Sequence, residues 1–156
     1  MIRCKSWLAL LLISVAVVGC MKARTPRWYI FAEGFEGWVW INYEIENADP
    51  LPVNEDAEVL NIPECGVLST SSPIIEGFAR DRYFFRKQGT SLDEIDVGRT
   101  RDHERDVLHP VFGRRNGRES YQRFFFGSPL SSSAEGKPPG SSEEVLRLNC
   151  GLGANP

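Results

Sequence analysis

The chain has 156 residues, with 18 basic and 21 acidic side chains and a formal net charge of −3. That acidic balance speaks against a nucleic-acid partner, which calls for a basic face, and the length suits one domain with a real core. No cofactor is expected.

Arg3 and Lys5 precede an apolar run over residues 6–18 (SWLALLLISVAVV), after which the chain reads Val17-Val18-Gly19-Cys20. The two cations hold the N-terminus on the cytosolic side. Thirteen apolar residues fall short of the ~20 that a permanent transmembrane helix needs, so residues 1–19 read as a removable signal helix. Val17-Val18-Gly19-Cys20 resembles the lipobox of bacterial lipoproteins, in which an aliphatic residue and two smaller ones precede a cysteine. The resemblance implies cleavage between Gly19 and Cys20, a diacylglyceryl thioether on the Cys20 sulfur, and acylation of the new amino group. A thiol suits that chemistry because it is a soft nucleophile that can be alkylated selectively. The plainer alternative is an ordinary secretory signal with an incidental cysteine. Two acyl chains give stable anchoring at roughly 0.8 kcal/mol per buried methylene, so membrane lipid is the partner expected at Cys20. Met21 stands where an inner-membrane retention signal would place Asp. In a cell with two membranes the expected location is therefore the outer one, facing the periplasm or the cell surface.

Residues 20–156 form a mature chain of 137 residues, with 16 basic and 21 acidic side chains and a net charge near −5. Cys4 leaves with the signal and Cys20 carries lipid, so Cys65 and Cys150 remain as an even pair in an oxidising compartment. They are expected to form a disulfide, worth roughly 4 to 5 kcal/mol in the chain-entropy account. Two separate buried thiols are the alternative, and neither cysteine has the C-x-x-C spacing of a metal site. The expected organisation is a lipid-anchored tether over residues 20–26, a β-sandwich over 27–128, a flexible linker over 129–142, and a C-terminal segment over 143–156 pinned by Cys150.

Trp28-Tyr29-Ile30-Phe31 and Trp38-Val39-Trp40-Ile41-Asn42-Tyr43 are short β-branched and aromatic runs that read as strands. Gly34 and Gly37 suit a tight connection between them. In the second strand Trp38 and Trp40 share one face while Val39, Ile41 and Tyr43 share the other, which predicts a central strand covered on both sides. Residues 47–52 form a loop by their Asn, Asp and Pro content. Residues 58–62 alternate, with Leu60 and Ile62 opposite Val59, and residues 66–69 make a further short strand. Short strands separated by turn residues predict an all-β fold, a small β-sandwich.

Residues 30–43 (IFAEGFEGWVWINY), then Pro50-Leu51-Pro52, then residues 62–71 (IPECGVLSTS) resemble a family of uncharacterised exported bacterial domains. That family opens with a Pro-x-Gly-(Phe/Tyr)-x-Gly-Trp-(Val/Ile) segment and continues to Ile-Pro-x-x-Gly and Thr-Ser. Ala32 stands in place of the Pro, which bears on the loop geometry alone. The resemblance spans roughly residues 27 to 128 and implies no activity. The strand pattern is also similar to transthyretin-like (prealbumin-like) and carboxypeptidase-regulatory-like sandwiches, an analogy of fold.

Residues 82–86 (RYFFR) and 123–127 (RFFFG) read as core strands flanked by charge. Residues 87–122 between them are polar and Arg-rich, with short turns at 91–95 and 102–108, and predict a long irregular excursion over the surface. Residues 143–150 read either as a helix capped by Ser141, with Glu144 completing a capping box, or as a last strand.

The candidate chemistry is sparse. Asp102, His103, Glu104 and His109 are the one cluster able to bind a divalent metal or share acid and base roles. They lack the spacing of a known zinc motif, and two histidines in a polar stretch are usually solvated. Arg99, Arg101, Arg105, Arg114, Arg115, Arg118 and Arg123 outnumber the local acids and could contact lipid phosphates or an acidic envelope polymer, although a mixed-charge solvated loop explains them as well. Trp38 and Trp40 fit either a carbohydrate-stacking platform or the core. No G-x-S-x-G elbow is present. The reading this favours is a membrane-anchored envelope lipoprotein, a non-catalytic binding or structural module with an unidentified envelope protein or polymer as partner. The alternatives are a hydrolase or metal-dependent enzyme built on the Asp102/His103/Glu104/His109 cluster, and an inhibitor or immunity-type lipoprotein.

Overall fold

Two strands adjacent in sequence, Arg27–Ala32 (β1) and Gly37–Tyr43 (β2), lie in different layers of the molecule. The computed structural model describes residues 23–87, 91–97, 106–115, 119–128 and 137–152. Residues 1–19, expected as a signal helix, lie outside the described residues. Between β1 and β2 the chain turns at Glu33-Gly34, where the Phe35 N–H donates to the Ala32 carbonyl and Gly34 takes a left-handed φ of 75°. The remaining elements are Val53–Asn54 (β3), Ala57–Asn61 (β4), Val67–Ser69 (β5), Arg82–Arg86 (β6), Leu92–Ile95 (β7), Asp106–Arg115 (β8), Glu119–Gly127 (β9) and the helix Ser142–Cys150 (α1).

The first sheet has the order β3-β4-β1-β6-β7 and the second β5-β2-β9-β8. β1 runs parallel to both neighbours, with Arg27 level with Glu58 and Trp28 level with Arg82. β2 is parallel to β5 and antiparallel to β9. The inner faces bury Tyr29, Phe31, Leu60 and Ile62 of the first sheet against Val39, Ile41, Tyr43, Phe124 and Phe126 of the second. Phe126 stacks on Phe31 with centroids 4.1 Å apart. The fold is an all-β sandwich.

The outer face of the second sheet carries Trp38, Trp40 and Phe125, and α1 covers it through the fully buried Val145. The C-terminal segment is thus the helix of the two readings. Ser141 caps it by accepting from the Glu144 N–H, and Gly151, at a φ of 63°, ends it by donating to the Arg147 carbonyl. The Glu144 carboxylate reaches back to the Gly140 N–H, one residue before the cap itself. Cys150 is joined to Cys65 by a disulfide with 5.5 Å between the Cα atoms. Beside it, the Asn149 amide donates to the Trp38 and Cys65 carbonyls at 2.7 and 3.0 Å and accepts from the Trp38 N–H. Residues 137–141 run against the same sheet, where Pro139 is buried and accepts from the Arg123 guanidinium.

The irregular excursion expected over residues 87–122 is corrected by two strands. β7 pairs antiparallel with β6, and the ten-residue β8 forms a hairpin ladder with β9 from Asp106 opposite Gly127 to Arg115 opposite Glu119. The reason lies at Pro110, which lacks an N–H and interrupts the alternation; the register shifts between Leu108 and Val111. β8 is an edge strand, the place in a sheet where proline is tolerated.

The bridge spans 85 residues, so Cys150→Ala is expected to lower the unfolding free energy by about 4 kcal/mol. Urea unfolding measures the loss. Thiol labelling of the unreduced wild-type domain should find neither Cys65 nor Cys150 free.

Candidate functional site

The two ends of the sandwich are built from different chemistry. At the end where the chain enters, Ala23 forms a parallel bridge with Phe78, and the Arg24 N–H donates to the Phe78 carbonyl at 3.2 Å. The Arg24 guanidinium grips the Asp81 carboxylate through both terminal nitrogens. The same carboxylate accepts from the Arg27 N–H at 2.9 Å.

Arg27 is in phase with Tyr29 and Phe31 along β1, so strand alternation turns its side chain inward. It is wholly buried. Its Nε donates to Glu58 at 2.9 Å, its Nη2 donates to the Ile75 carbonyl at 3.3 Å, and the guanidinium lies 5.3 Å from the centre of the Tyr43 ring. Nη1 has no hydrogen-bond acceptor among the described residues. Burial by itself opposes this charge, but Tyr43, Tyr29 and the Glu58 hydrogen bond outweigh it and hold the Arg27 pKa above its ordinary value.

Deeper in, the Tyr43 hydroxyl donates to Gln122 Oε1 at 3.1 Å, and Gln122 Nε2 donates to the Tyr29 hydroxyl at 3.1 Å. Burial pushes both phenols up, partly offset by the Arg27 cation. Nearby the Ser120 hydroxyl donates to Glu44 at 2.6 Å. Chemically this network ties both sheets together at the entry end, its acids and bases engaged with one another.

An open recess of about 370 Å³ adjoins this end, lined by Ile74, Ile75, Glu76, Gly113, Arg114 and Ser120. It sets the 74–76 segment beside the β8–β9 hairpin. At the opposite end, a recess of about 430 Å³ opens between Ala32, Glu33, Ile62, Glu64, Arg86 and Lys87. Its cations are engaged, Arg86 with Asn61 and Lys87 with Asp93. This shape admits a small polar group or a loop of a partner.

Gly19 and Cys20 lie outside the described residues, as do Asp102, His103 and Glu104; of His109 only the backbone, in β8, is described. Among the described residues no group of three or more His, Cys, Asp or Glu side chains is placed to hold a metal. Trp38 and Trp40 are 3% and 2% exposed beneath α1, which makes them core and removes the stacking-platform reading. Of the arginine-rich stretch, Arg114 is exposed at the entry end and Arg123 is tied to Pro139, while Arg99, Arg101, Arg105 and Arg118 and the side chain of Arg115 fall outside the described residues. No sequence motif marks the entry-end network. The alternation that points Arg27 inward was its one local signal.

Residues 23–127 match the model of a family of unknown function, DUF6843. A crystal structure of a candidate lipoprotein from Bacillus anthracis is similar in fold, with a TM-score of 0.56 and 20% identity over 80% of this chain and 90% of that one. No curated protein matches the chain.

Two outcomes follow from the entry-end network. Arg27→Ala leaves Glu58 without its partner and is expected to cost about 3 kcal/mol in urea unfolding. For an acid whose pKa is raised by folding, the unfolded chain loses its proton first, so stability is intact below the unfolded pKa near ~10 and falls as the pH rises beyond it. Phenolate absorbance from Tyr29 and Tyr43 should therefore appear only together with unfolding, and Tyr29→Phe and Tyr43→Phe each remove its own share of that step.

Proposed function

Because the chain belongs to the DUF6843 family of unknown function across residues 23–127, we propose its role from its own residues: an envelope lipoprotein, anchored through Cys20, whose sandwich is a non-catalytic binding or structural module. The observation that carries this reading is where the chain joins the fold. Among the described residues the first to pair is Ala23, three residues after Cys20, so a lipid on that sulfur would hold the domain close to the bilayer. The signal-like run over residues 1–19 and the fold shared with the Bacillus anthracis protein, itself described as a candidate lipoprotein, support the same reading.

The non-catalytic part rests on how the polar groups are used. Arg24 with Asp81, Arg27 with Glu58, and Tyr29 and Tyr43 with Gln122 are spent on one another inside the fold. Aromatic rings fill the space between the sheets. The module then offers its surfaces, and the far recess with Glu33 and Glu64 is the place for a ligand or partner loop.

Radiolabelled palmitate should enter the wild-type protein and be absent from Cys20→Ser, and wild-type protein should float with membranes on a density gradient. Equal labelling of the two proteins refutes the anchor.

A further inference from the structure

The entry end exposes apolar side chains that a free domain has reason to bury. Phe78 is 65% exposed and Ile75 37% exposed, both on the segment between β5 and β6. Phe78 is also the residue bridged to Ala23. From Ala23 back to Cys20 the chain takes three steps, which span at most roughly 11 Å, and bridged strands lie about 4.8 Å apart. The Cys20 backbone can therefore lie no farther than roughly 16 Å from that of Phe78, about two headgroup layers of some 5 to 8 Å each, so a lipid at Cys20 would keep Phe78 near the bilayer surface. Exposed cations flank the apolar pair: Arg80 lies two residues beyond Phe78, and Arg114 lines the same recess as Ile75. Glu76 is the exposed acid of the segment, while Asp81 is taken up by Arg24. An exposed aromatic and an aliphatic side chain with arginines nearby match the composition of an interfacial contact.

We propose that Phe78 and Ile75 form a second membrane contact, a foot inserted in the bilayer interface beside the lipid of Cys20, with Arg80 and Arg114 on headgroup phosphates. This rests on the anchor reading of Cys20. Two acyl chains already hold the protein on the membrane, so the foot acts on orientation. A lipid alone leaves the domain free to tumble about its tether, whereas a lipid and an inserted ring fix which end faces the bilayer. β1 then runs away from the membrane, and the recess at its C-terminal end points outward, roughly 20 Å from the foot.

The test uses the full lipoprotein reconstituted in phosphatidylethanolamine and phosphatidylglycerol vesicles. A polarity-sensitive fluorophore is placed on Phe78→Cys and, as a control at the other end, on Glu33→Cys. The expected result is a blue-shifted emission at position 78, quenched by lipids brominated on their acyl chains, with position 33 aqueous. Phe78→Ser should move between vesicles roughly tenfold faster with an unchanged urea midpoint, because the side chain lies outside the core. An aqueous label at position 78 on protein that floats with the vesicles overturns the foot and leaves the anchor standing. Shielding of position 78 without vesicles, at twice the monomer mass, assigns the patch to a second copy and also overturns it. Palmitate labelling that persists in Cys20→Ser overturns the anchor reading itself.

Discussion

β2 is apolar on both faces, and most of the architecture answers to that. Val39, Ile41 and Tyr43 need one cover, while Trp38 and Trp40 need another. The first sheet supplies the inner cover. The outer one is α1, nine residues long, and a helix of that length is marginal in water unless its apolar face is held down. Two devices hold it. The Cys65–Cys150 disulfide fixes its end, and the Asn149 amide pairs with the N–H and carbonyl of Trp38 as a neighbouring strand would. The approach is close enough to dictate Gly66: a Cβ there would lie 2.2 Å from the Trp38 carbonyl oxygen and 2.5 Å from the Asn149 amide nitrogen, on a backbone at a φ of 78°. Gly37 answers to the same contact, since its Cβ would meet Asn149 Oδ1 at 2.8 Å.

Between the sheets the interior changes character along its length. Phe126 sits at the centre of an aromatic group with Phe31, Phe35, Tyr83 and Phe85. Toward the entry end the rings acquire hydroxyls, at Tyr29 and Tyr43, then the Gln122 amide, and finally the Arg27 and Glu58 charges. Charges there gain little net stability, because losing water costs each ion several kcal/mol that the pairing only returns. What they impose is a single arrangement. A slip of β1 by one residue would turn Arg27 outward and strand Glu58, so the network selects one register against its neighbours.

Much of this was legible in the sequence, and the exceptions have physical causes. Short aromatic runs gave β1, β2, β6 and the core of β9, because few polar residues interrupt their alternation. Ser141 and Glu144 marked the start of α1. β8 was hidden by Pro110 and by the arginines around it, although Val107, Leu108, Val111 and Phe112 carry the apolar content of a strand. β7 was hidden because Asp93 and Glu94 stand in its middle; there they meet Lys87 and Arg82, a pairing that exists only once β6 lies alongside. The entry-end network was unreadable for a related reason. Arg27 meets Glu58, Asp81 and Ile75 from three separate segments, 31, 54 and 48 residues away, and no local spacing announces such a meeting. Cys20, Asp102, His103 and Glu104 lie outside the described residues, as does the side chain of His109.

Tether length decides what a membrane-held module can meet. A flexible linker of many residues lets a domain search a volume that grows with its length, but here Ala23 is already paired and the Arg24 grip on Asp81 closes the chain onto the fold. With a lipid at Cys20 and the proposed contact at Phe78, the surfaces on offer would be those turned sideways and outward. Sideways lies the outer face of the first sheet, where Trp28 and Phe84 pack together beneath the Arg82 guanidinium and Glu94 holds Arg82 in place. That ion pair is exposed, so salt screens it and a competing carboxylate can displace it. Its aromatic floor stays in place without it. An acidic partner arriving along the membrane would thus meet a cation already positioned over rings, and one arriving from outside would meet the recess beside Glu33 and Glu64. The first surface pairs Arg82 with Glu94 over rings and the second sets Glu33 and Glu64 beside Arg86 and Lys87, so a domain held in one orientation would present a salt-sensitive aromatic face sideways and a mixed-charge recess outward.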